Sequence, residues 1–202
     1  MATPSIKDFL DSFKNTELAR PSNFEVEIPT PNFLLNLTQE IGNISFRCES
    51  AQLPTRTFSL VEQKTYGPIR FFPIQNAYEN INLTFLCSDN MIEKSFFDNW
   101  MNFISVSYRN STPDIFNINT RLYFDFEYKD NYQQTITIKQ KDVTGKSSYE
   151  IRLLEAYPIS VNQLDLDWAS VDNVHKLSVL FNYRYFERIP LNAKDILIDF
   201  IS

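Results

Sequence analysis

A two-residue alternation near the end of the chain constrains the fold more than any other feature of the sequence. In residues 175–185, apolar and polar side chains take alternate positions, with Leu177, Val179, Phe181 and Tyr183 on one side and Lys176, Ser178, Asn182 and Arg184 on the other. Successive side chains of a β-strand point to opposite faces, so this period predicts a strand with one buried and one exposed face. Residues 150–189 contain two such runs around a polar stretch, and we interpret them as the closing strands of an antiparallel β-domain.

Similar patterns predict further strands along the chain, at residues 23–28, 44–52, 79–88, 121–128, 132–141 and 149–157. Residues 91–105 instead carry apolar side chains at helical spacing, at Ile92, Phe96, Trp100 and Phe103. Asn90 and Glu93 form a capping pair in front of this helix. Together these patterns predict a mainly β fold, an antiparallel β-sandwich or half-barrel with one central α-helix.

Three segments extend beyond this predicted core. Residues 5–15 have the apolar spacing of a short amphipathic helix. Residues 57–73 form two extended pieces around Gly67 and Pro68, which predicts a long projecting hairpin suited to subunit contact. The C-terminal extension, residues 188–202, is too apolar to remain in water, and we expect it to dock on a neighbouring subunit.

Length and composition favour one domain, residues 1–202, and exclude several classes of function. A net charge of −6 and a pI of about 4.9 oppose tight binding to nucleic acid, because lysine and arginine supply most of that affinity. No apolar run approaches the roughly 20 residues that span a bilayer, so no membrane anchor is expected. The N-terminus lacks the pattern of a secretory signal, which predicts synthesis in a cytoplasm.

The residues that most often carry chemistry do not form a recognisable site. Residues 145–147 (Gly-Lys-Ser) resemble the end of a phosphate-binding loop, but that motif needs glycine where Gln140 stands, so we predict a turn. Cys48 and Cys87 have no metal-ligand spacing and are too few for a disulfide scaffold, which favours buried thiols. His175 is the single histidine, and the calcium-loop spacing is missing from the acidic group of Asp165, Asp167 and Asp172. We therefore expect no catalytic residue, cofactor or metal, and no enzymatic activity.

Four stretches of the chain, taken in order, resemble the tail tube proteins of contractile-tailed bacteriophages. They are residues 18–28, 46–54, the strand and helix ending at 97–100, and 156–168. The resemblance implies a subunit that contributes strands to a ring-shaped intersubunit β-barrel and polymerises as stacked homohexameric rings. It also implies a place in the virion tail, a conduit for genome delivery on tail contraction, and DNA that passes through the lumen without specific binding. Its implied partners are further copies of itself and the tail sheath, baseplate and tube-terminator proteins.

The chain departs from the compact family pattern at residues 29–43, at residues 106–119 and beyond residue 188. These departures leave open a related role, such as a baseplate tube initiator or the inner tube of a contractile secretion or toxin-injection machine. A different class of function is a monomeric β-sandwich that binds carbohydrate or protein through exposed tyrosine and tryptophan side chains. An enzyme would require an activity that depends on His175 or Asp167.

Overall fold

The structure, a computed structural model, describes residues 6–7, 11, 18–37, 44–106, 125–169 and 173–190. Of the helix predicted at residues 5–15, positions 6, 7 and 11 are described, and all three are helical. Most of the connection predicted at residues 106–119 and all of the extension after residue 190 lie outside the described residues.

Besides the helical positions 6, 7 and 11, the described residues form eleven strands and two helices, with short 3-10 turns at Asn32–Leu37 and Ser45–Arg47. The first half holds β1 (Phe24–Glu27), β2 (Cys48–Ala51), β3 (Arg56–Gln63), β4 (Arg70–Tyr78) and β5 (Ile81–Leu86). Helix α1 (Ile92–Ile104) and β6 (Ser105–Val106) follow. The second half holds β7 (Asp125–Phe126), α2 (Lys129–Tyr132), β8 (Gln134–Lys141), β9 (Ser147–Val161), β10 (Lys176–Asn182) and β11 (Tyr185–Ile189).

Seven of these strands pair antiparallel in the order β1-β8-β9-β10-β5-β2, with β11 also on β9. Strand β9 is 15 residues long and takes part in two sheets. Its first part pairs with β8 and β11, which with β1 make sheet 1. Its last residues pair with β10, which with β5 and β2 make sheet 2. The described strands do not close into a barrel, which confirms the predicted mainly β sandwich or half-barrel with one main helix.

The core lies between the two sheets and is covered by α1. Each strand contributes alternate residues, as its sequence period predicts, and the buried set of sheet 2 is Ile81, Leu83, Phe85, Leu177, Val179 and Phe181. Helix α1 adds three buried aromatic side chains, Phe96, Phe97 and Trp100. The rings of Phe97 and Trp100 lie 6.0 Å and 6.2 Å from that of Phe181, edge to face. Truncating one such buried aromatic to alanine costs about 3–5 kcal/mol, so these contacts fix the helix on the sheet.

The helix begins differently from the prediction. Met91 is its N-cap residue, with a left-handed backbone (φ 52°) and no side-chain capping bond. Glu93 is completely buried and accepts hydrogen bonds from the backbone N and the Oγ of Ser88, at 2.8 and 3.0 Å. The predicted pairing of Asn90 with Glu93 is therefore wrong, because the carboxylate reaches back two residues further and also pairs with Arg47.

Two predicted strands are shorter than their sequence patterns. The strand predicted at residues 44–52 begins only at Cys48, because residues 45–47 form a 3-10 turn whose Ser45 Oγ accepts a bond from the Ile28 backbone N. Of the strand predicted at residues 121–128, positions 121–124 lie outside the described residues; the rest ends as a strand at Phe126, since Tyr128 is the N-cap residue of α2. No helix in the described part of the chain is long and apolar enough to cross a membrane.

Candidate assembly surfaces

Strands β3 and β4 form a two-stranded hairpin that stands apart from the seven-stranded sheet. We call this hairpin, residues 56–78, the arm. Every residue from 56 to 77 is exposed, including large apolar side chains such as Phe58 (57%) and Ile74 (66%). An isolated two-stranded hairpin is marginally stable in water, and contiguous exposed apolar surface marks an interaction site. The arm therefore has the properties of a surface that another molecule covers.

The register of the arm sorts its side chains onto two faces. Phe58 and Leu60 alternate along β3, and Leu60 lies opposite Pro73 while Glu62 lies opposite Phe71. Because paired residues project to the same side of a hairpin, Phe58, Leu60 and Phe71 share one face, which is the more apolar one. A register shift between Ser59 and Leu60 places a bulge in the middle of the arm. Bulges increase local twist, so the arm is a curved ribbon rather than a flat one.

The base of the arm is attached to the core by an aromatic cluster. The ring of Tyr78 lies 5.6 Å from that of Phe186 on β11, and the Arg56 guanidinium lies 5.1 Å from the Phe186 ring centroid. At the other end, Gly67 (φ 117°) forms the turn in a backbone conformation that few other residues adopt. The arm is thus fixed at one end and turns back tightly at the other. It begins one residue before the predicted 57–73 and ends five residues after it.

At the opposite end of sheet 2, the loop between β9 and β10 forms an open cleft of about 470 Å³. We call it the cleft; its walls include Asp165, Leu166, Asp167, Trp168, Val174 and His175. Leu166, Trp168 and Val174 are exposed. Asp165 Oδ1 accepts a bond from Gln163 Nε2 at 3.1 Å, and Asp167 Oδ1 accepts one from the Ala169 backbone N at 3.0 Å.

The cleft contains several residues that the sequence offered as candidates for chemistry. Asp165, Asp167 and His175 all line this cleft, whereas Asp172 lies outside the described residues. Within the described part of the chain, no group of three or more His, Cys, Asp or Glu residues is arranged to hold a metal ion. The turn bond of Asp167 agrees with the structural role predicted for it. What the sequence did not indicate is that these acids adjoin exposed apolar side chains.

The Gly-Lys-Ser segment at residues 145–147 is a β-turn region, as predicted. Asp142 Oδ1 accepts bonds from the backbone N and the Oγ1 of Thr144, both at 2.6 Å, and from the Lys146 backbone N. The hydrogen bond from the Thr144 side chain is the main reason that the pKa of Asp142 is lowered. The backbone N–H groups of this turn thus bind a side chain of the chain itself, not an external phosphate.

The predicted buried thiols are only half-buried. Cys48 and Cys87 are both free. Desolvation raises the pKa of Cys48 to about 12 and also raises that of Cys87. Thiols with raised pKa values are poor nucleophiles, which agrees with a structural role.

A charged junction that the sequence analysis missed lies where β9 passes between the sheets. Glu155 has a left-handed backbone (φ 56°), unusual for a residue other than glycine. Its carboxylate accepts bonds from Lys129 Nζ at 2.5 Å and Arg184 Nη1 at 2.7 Å. These hydrogen bonds lower the pKa of Glu155, and the bond from Lys129 has the largest effect. The junction connects α2 and the β10–β11 corner to the point where the register of β9 shifts against β8, and these three segments are separated in sequence.

The outer faces of the two sheets differ in charge. Sheet 1 carries charged pairs on its outer side, including Lys141 with Glu25 at 2.6 Å and Lys139 with Glu27. Sheet 2 instead presents mostly uncharged side chains between its buried positions, polar at Asn82, Thr84, Ser160, Ser178 and Asn182 and apolar at Leu86 and Leu180. Its only described ion pair is Lys176 with Glu49, at 2.5 Å. Sheet 2 therefore has a nearly neutral outer face.

Sheet 2 also has two open edges. Strand β2 pairs on one side only, with β5. At the other end of the sheet, the last five residues of β9, 157–161, pair with β10, and no described strand covers their opposite edge. Unpaired strand edges present rows of N–H and C=O groups that can pair with another chain.

Comparison with known proteins places these surfaces in a family context. The sequence model of one family, described as phage tail tube protein, matches residues 19–188. Among curated protein sequences, none matches this chain at a significant level.

Several solved structures are similar in fold. A sheath–tube complex of an extracellular contractile injection system (PVC) in the extended state aligns with a TM-score of 0.59 and 13% identity, covering 90% of this chain and 97% of that chain. The tube-terminating cap of the anti-feeding prophage (AFP) aligns at 0.58 and 15% identity, covering 86% and 92%. The PVC sheath/tube terminator aligns at 0.56 and 15% identity, covering 87% and 99%. At these identities the likeness concerns the fold alone.

Proposed function

Because this chain belongs to the phage tail tube protein family, we propose that it polymerises as stacked hexameric rings into the tail tube of a virion, the conduit for genome delivery on contraction. The observation that carries this proposal is the arm, an exposed apolar hairpin that requires a partner, in a chain whose family forms tubes. The solved structures of similar fold are described as tube, terminator and cap components of contractile systems, which supports the contractile setting. The role is structural and not enzymatic.

The open edges of sheet 2 are the elements that we assign to ring formation. Strand β2 of one copy pairs with the 157–161 edge of the next, so that each copy adds its four strands to a shared barrel. Such a contact joins two different surfaces, and heterologous contacts of this kind close into rings when the rotation allows. Backbone pairing supplies affinity without requiring a large apolar interface.

In such a ring, the outer face of sheet 2 lines the lumen. Its uncharged side chains, such as Thr84 and Ser178, give passing DNA no lysine or arginine to bind. The lysine that is present, Lys176, is paired with Glu49. Because phosphate neutralisation supplies most of the affinity of proteins for DNA, a neutral face lets DNA pass without specific binding.

The remaining segments belong to the same single domain, residues 1–202, in this proposal. The helix at about 5–15 and the extension at about 188–202 contribute further contacts to neighbouring copies. Tail sheath, baseplate and tube-terminator proteins are the other partners, by analogy with the complexes named for the similar folds. The protein is made in the host cytoplasm and incorporated into the tail.

The deciding experiment is negative-stain electron microscopy of the purified protein over a concentration series, with its solution mass measured in parallel. Rings or hollow tubes are expected. Because tube subunits can remain monomeric until nucleated, the series is repeated with isolated tube ends as seeds. A protein that stays monomeric with seeds present contradicts the proposal.

One observation favours a second candidate, the monomeric binding module. Trp168 is fully exposed beside Asp165 and Asp167 in the cleft, and an aromatic platform next to carboxylates is a common arrangement for binding carbohydrate. Two results together would favour this candidate. The protein would remain a monomer when seeds are added, and it would bind glycans on an array in a manner that Trp168→Ala abolishes.

A further inference from the structure

The arm and the cleft lie at opposite ends of sheet 2, and we propose that the tip of the arm of one copy docks into the cleft of a second copy. This inference rests on the proposed function, because it assigns the contact by which one ring stacks on the next. Both surfaces expose large apolar side chains, and each lacks a covering element among the described residues.

The register of sheet 2 fixes their positions. Strand β5 begins at Ile81, opposite Phe181, and ends at Leu86, opposite Lys176. The arm is followed along the chain by the first residue of β5, Ile81, after a two-residue connection. The loop that forms the cleft instead precedes the first residue of β10, Lys176. The two surfaces are therefore attached at opposite ends of the strands of sheet 2.

The arm is long enough to reach past its own ring. Strand β3 has eight residues, which extend about 25 Å at the usual rise per residue. Strand β10, which spans sheet 2 from end to end, has seven. An arm of about the same length as the sheet is therefore able to overlap the near end of a copy stacked on it.

The charges of the two surfaces are complementary. The arm contains three cationic side chains and one anionic side chain, Glu62. Arg56 lies at its base over the Phe186 ring, and Lys64 pairs with Glu62 at 3.0 Å, so the positive charge near the tip comes from Arg70 together with the Lys64–Glu62 pair. The cleft contains Asp165 and Asp167, and residues 163–175 include no lysine or arginine. Opposite charge across an interface selects the correct partner and fixes its register.

The tip of the arm also carries side chains of a size that the cleft can accept. The tip of the arm carries Tyr66, which is fully exposed, and Ile69. The cleft offers about 470 Å³ between Leu166, Trp168 and Val174, a volume typical of sites that accept a compact ligand group. A tyrosine presents an apolar ring and a polar hydroxyl, and such side chains are favoured at the centres of interfaces. Tyr66 packing against Trp168, with Lys64 and Arg70 facing the two aspartates, combines an aromatic contact with opposite charges at the tip of the arm.

Charge reversal tests the contact. The variant Lys64→Glu/Arg70→Glu is expected to form rings as the wild type does but to need about tenfold more protein, or to fail, in stacking them into tubes, because like charges then meet. Adding Asp165→Lys/Asp167→Lys to the same chain restores opposite charges and is expected to restore tubes. Lys146→Glu, the same chemical change in the β8–β9 turn, serves as the control and should leave stacking unchanged.

A disulfide cross-link supplies a second measurement that does not depend on assembly energetics. In the double variant Tyr66→Cys/Trp168→Cys, oxidation with copper phenanthroline and air should give a ladder of covalent multimers on a non-reducing gel. Each single variant can form at most a dimer through its one new thiol, because the native thiols have raised pKa values, so only the double variant should give a ladder.

The proposed function and the proposed docking of the arm in the cleft are contradicted by different results. A wild-type protein that forms neither rings nor tubes, even with seeds, refutes the proposed function and this contact with it. Wild-type tubes that persist unchanged in the charge-reversed variant, together with no ladder from the cysteine pair, refute only the docking of the arm in the cleft.

Discussion

Replacing Glu93 with alanine tests how helix α1 is fixed to the sheet that we assign to ring formation. The carboxyl group is completely buried and pairs with Arg47, so the stability of the fold depends on the partners that its oxygens keep. It accepts two hydrogen bonds from Ser88 and one from Arg47, which lies directly before β2. The substitution therefore releases the start of the helix and the start of an edge strand at the same time.

The contacts set the size of the expected effect. The two bonds from Ser88, at 2.8 and 3.0 Å, have a charged acceptor, and each such bond contributes about 1.5–3 kcal/mol. The Arg47 side chain is 32% exposed, so water solvates it after the loss of its partner and its share is smaller. We expect Glu93→Ala to lower the free energy of unfolding by about 3–5 kcal/mol.

A second ion pair on the same helix provides the control. Lys94 Nζ lies 2.7 Å from Asp98 Oδ1, but both side chains reach the solvent. Exposed pairs of this kind contribute about 0.5 kcal/mol or less, so Asp98→Ala should be nearly neutral. Urea unfolding of the monomer, followed by tryptophan fluorescence and far-UV circular dichroism, measures both variants. The reasoning would be refuted if the two substitutions lowered the free energy of unfolding by amounts within about 1 kcal/mol of each other, at an unchanged m-value.

Three further predictions concern assembly and pH. Phe58→Ser/Phe71→Ser should leave monomer stability within about 0.5 kcal/mol, because both residues are exposed, yet prevent tube formation in electron microscopy; tubes of normal length would contradict the role of the arm. Thr84→Lys/Ser178→Lys should still form tubes but retain DNA in a salt-sensitive manner in a co-sedimentation assay, and tubes that bind none would exclude this face from the lumen. The pKa of Glu155 is lower in the folded protein than in the unfolded chain, where it is about 4.5. The ionised side chain therefore stabilises the fold at pH values above the unfolded pKa, and this contribution is lost as the pH falls through the folded pKa. The difference in melting temperature between the wild type and Glu155→Gln should therefore shrink on acidification from pH 7 to below pH 4, and a constant difference would contradict the ionic role.

Patterns that depend on local period could be read from the sequence. The strands β5 and β10 and helix α1 each keep their apolar side chains at one spacing, and each was placed within three residues of its observed bounds. The Gly-Lys-Ser turn was also predictable, because Asp142 and its backbone partners are close in sequence. In these cases the interactions that decide the structure are local.

Features that depend on distant partners were missed or misplaced. The Glu93 carboxylate binds Arg47, 46 residues away, so no local capping rule could have found that bond. The junction at Glu155 joins Lys129 and Arg184, and the register shift of β9 at this point appears in the sequence only as one continuous strand. The cleft was predicted as a connection because its polar residues are typical of turns; its apolar wall becomes visible only when the loop is folded.

The separation of arm and cleft has a consequence for the kind of assembly that this chain can form. A contact between two identical patches would end at a dimer, because each copy would use its single patch. Here the arm at one end of sheet 2 and the cleft at the other are different surfaces, so each copy that docks leaves one of each unoccupied. If the proposed contact stacks copies without the rotation closing them into a ring, growth through it has a fixed direction. A stack grown in this way carries free arms at one end and free clefts at the other, so a terminating protein at either end would need to cover only one of the two surfaces.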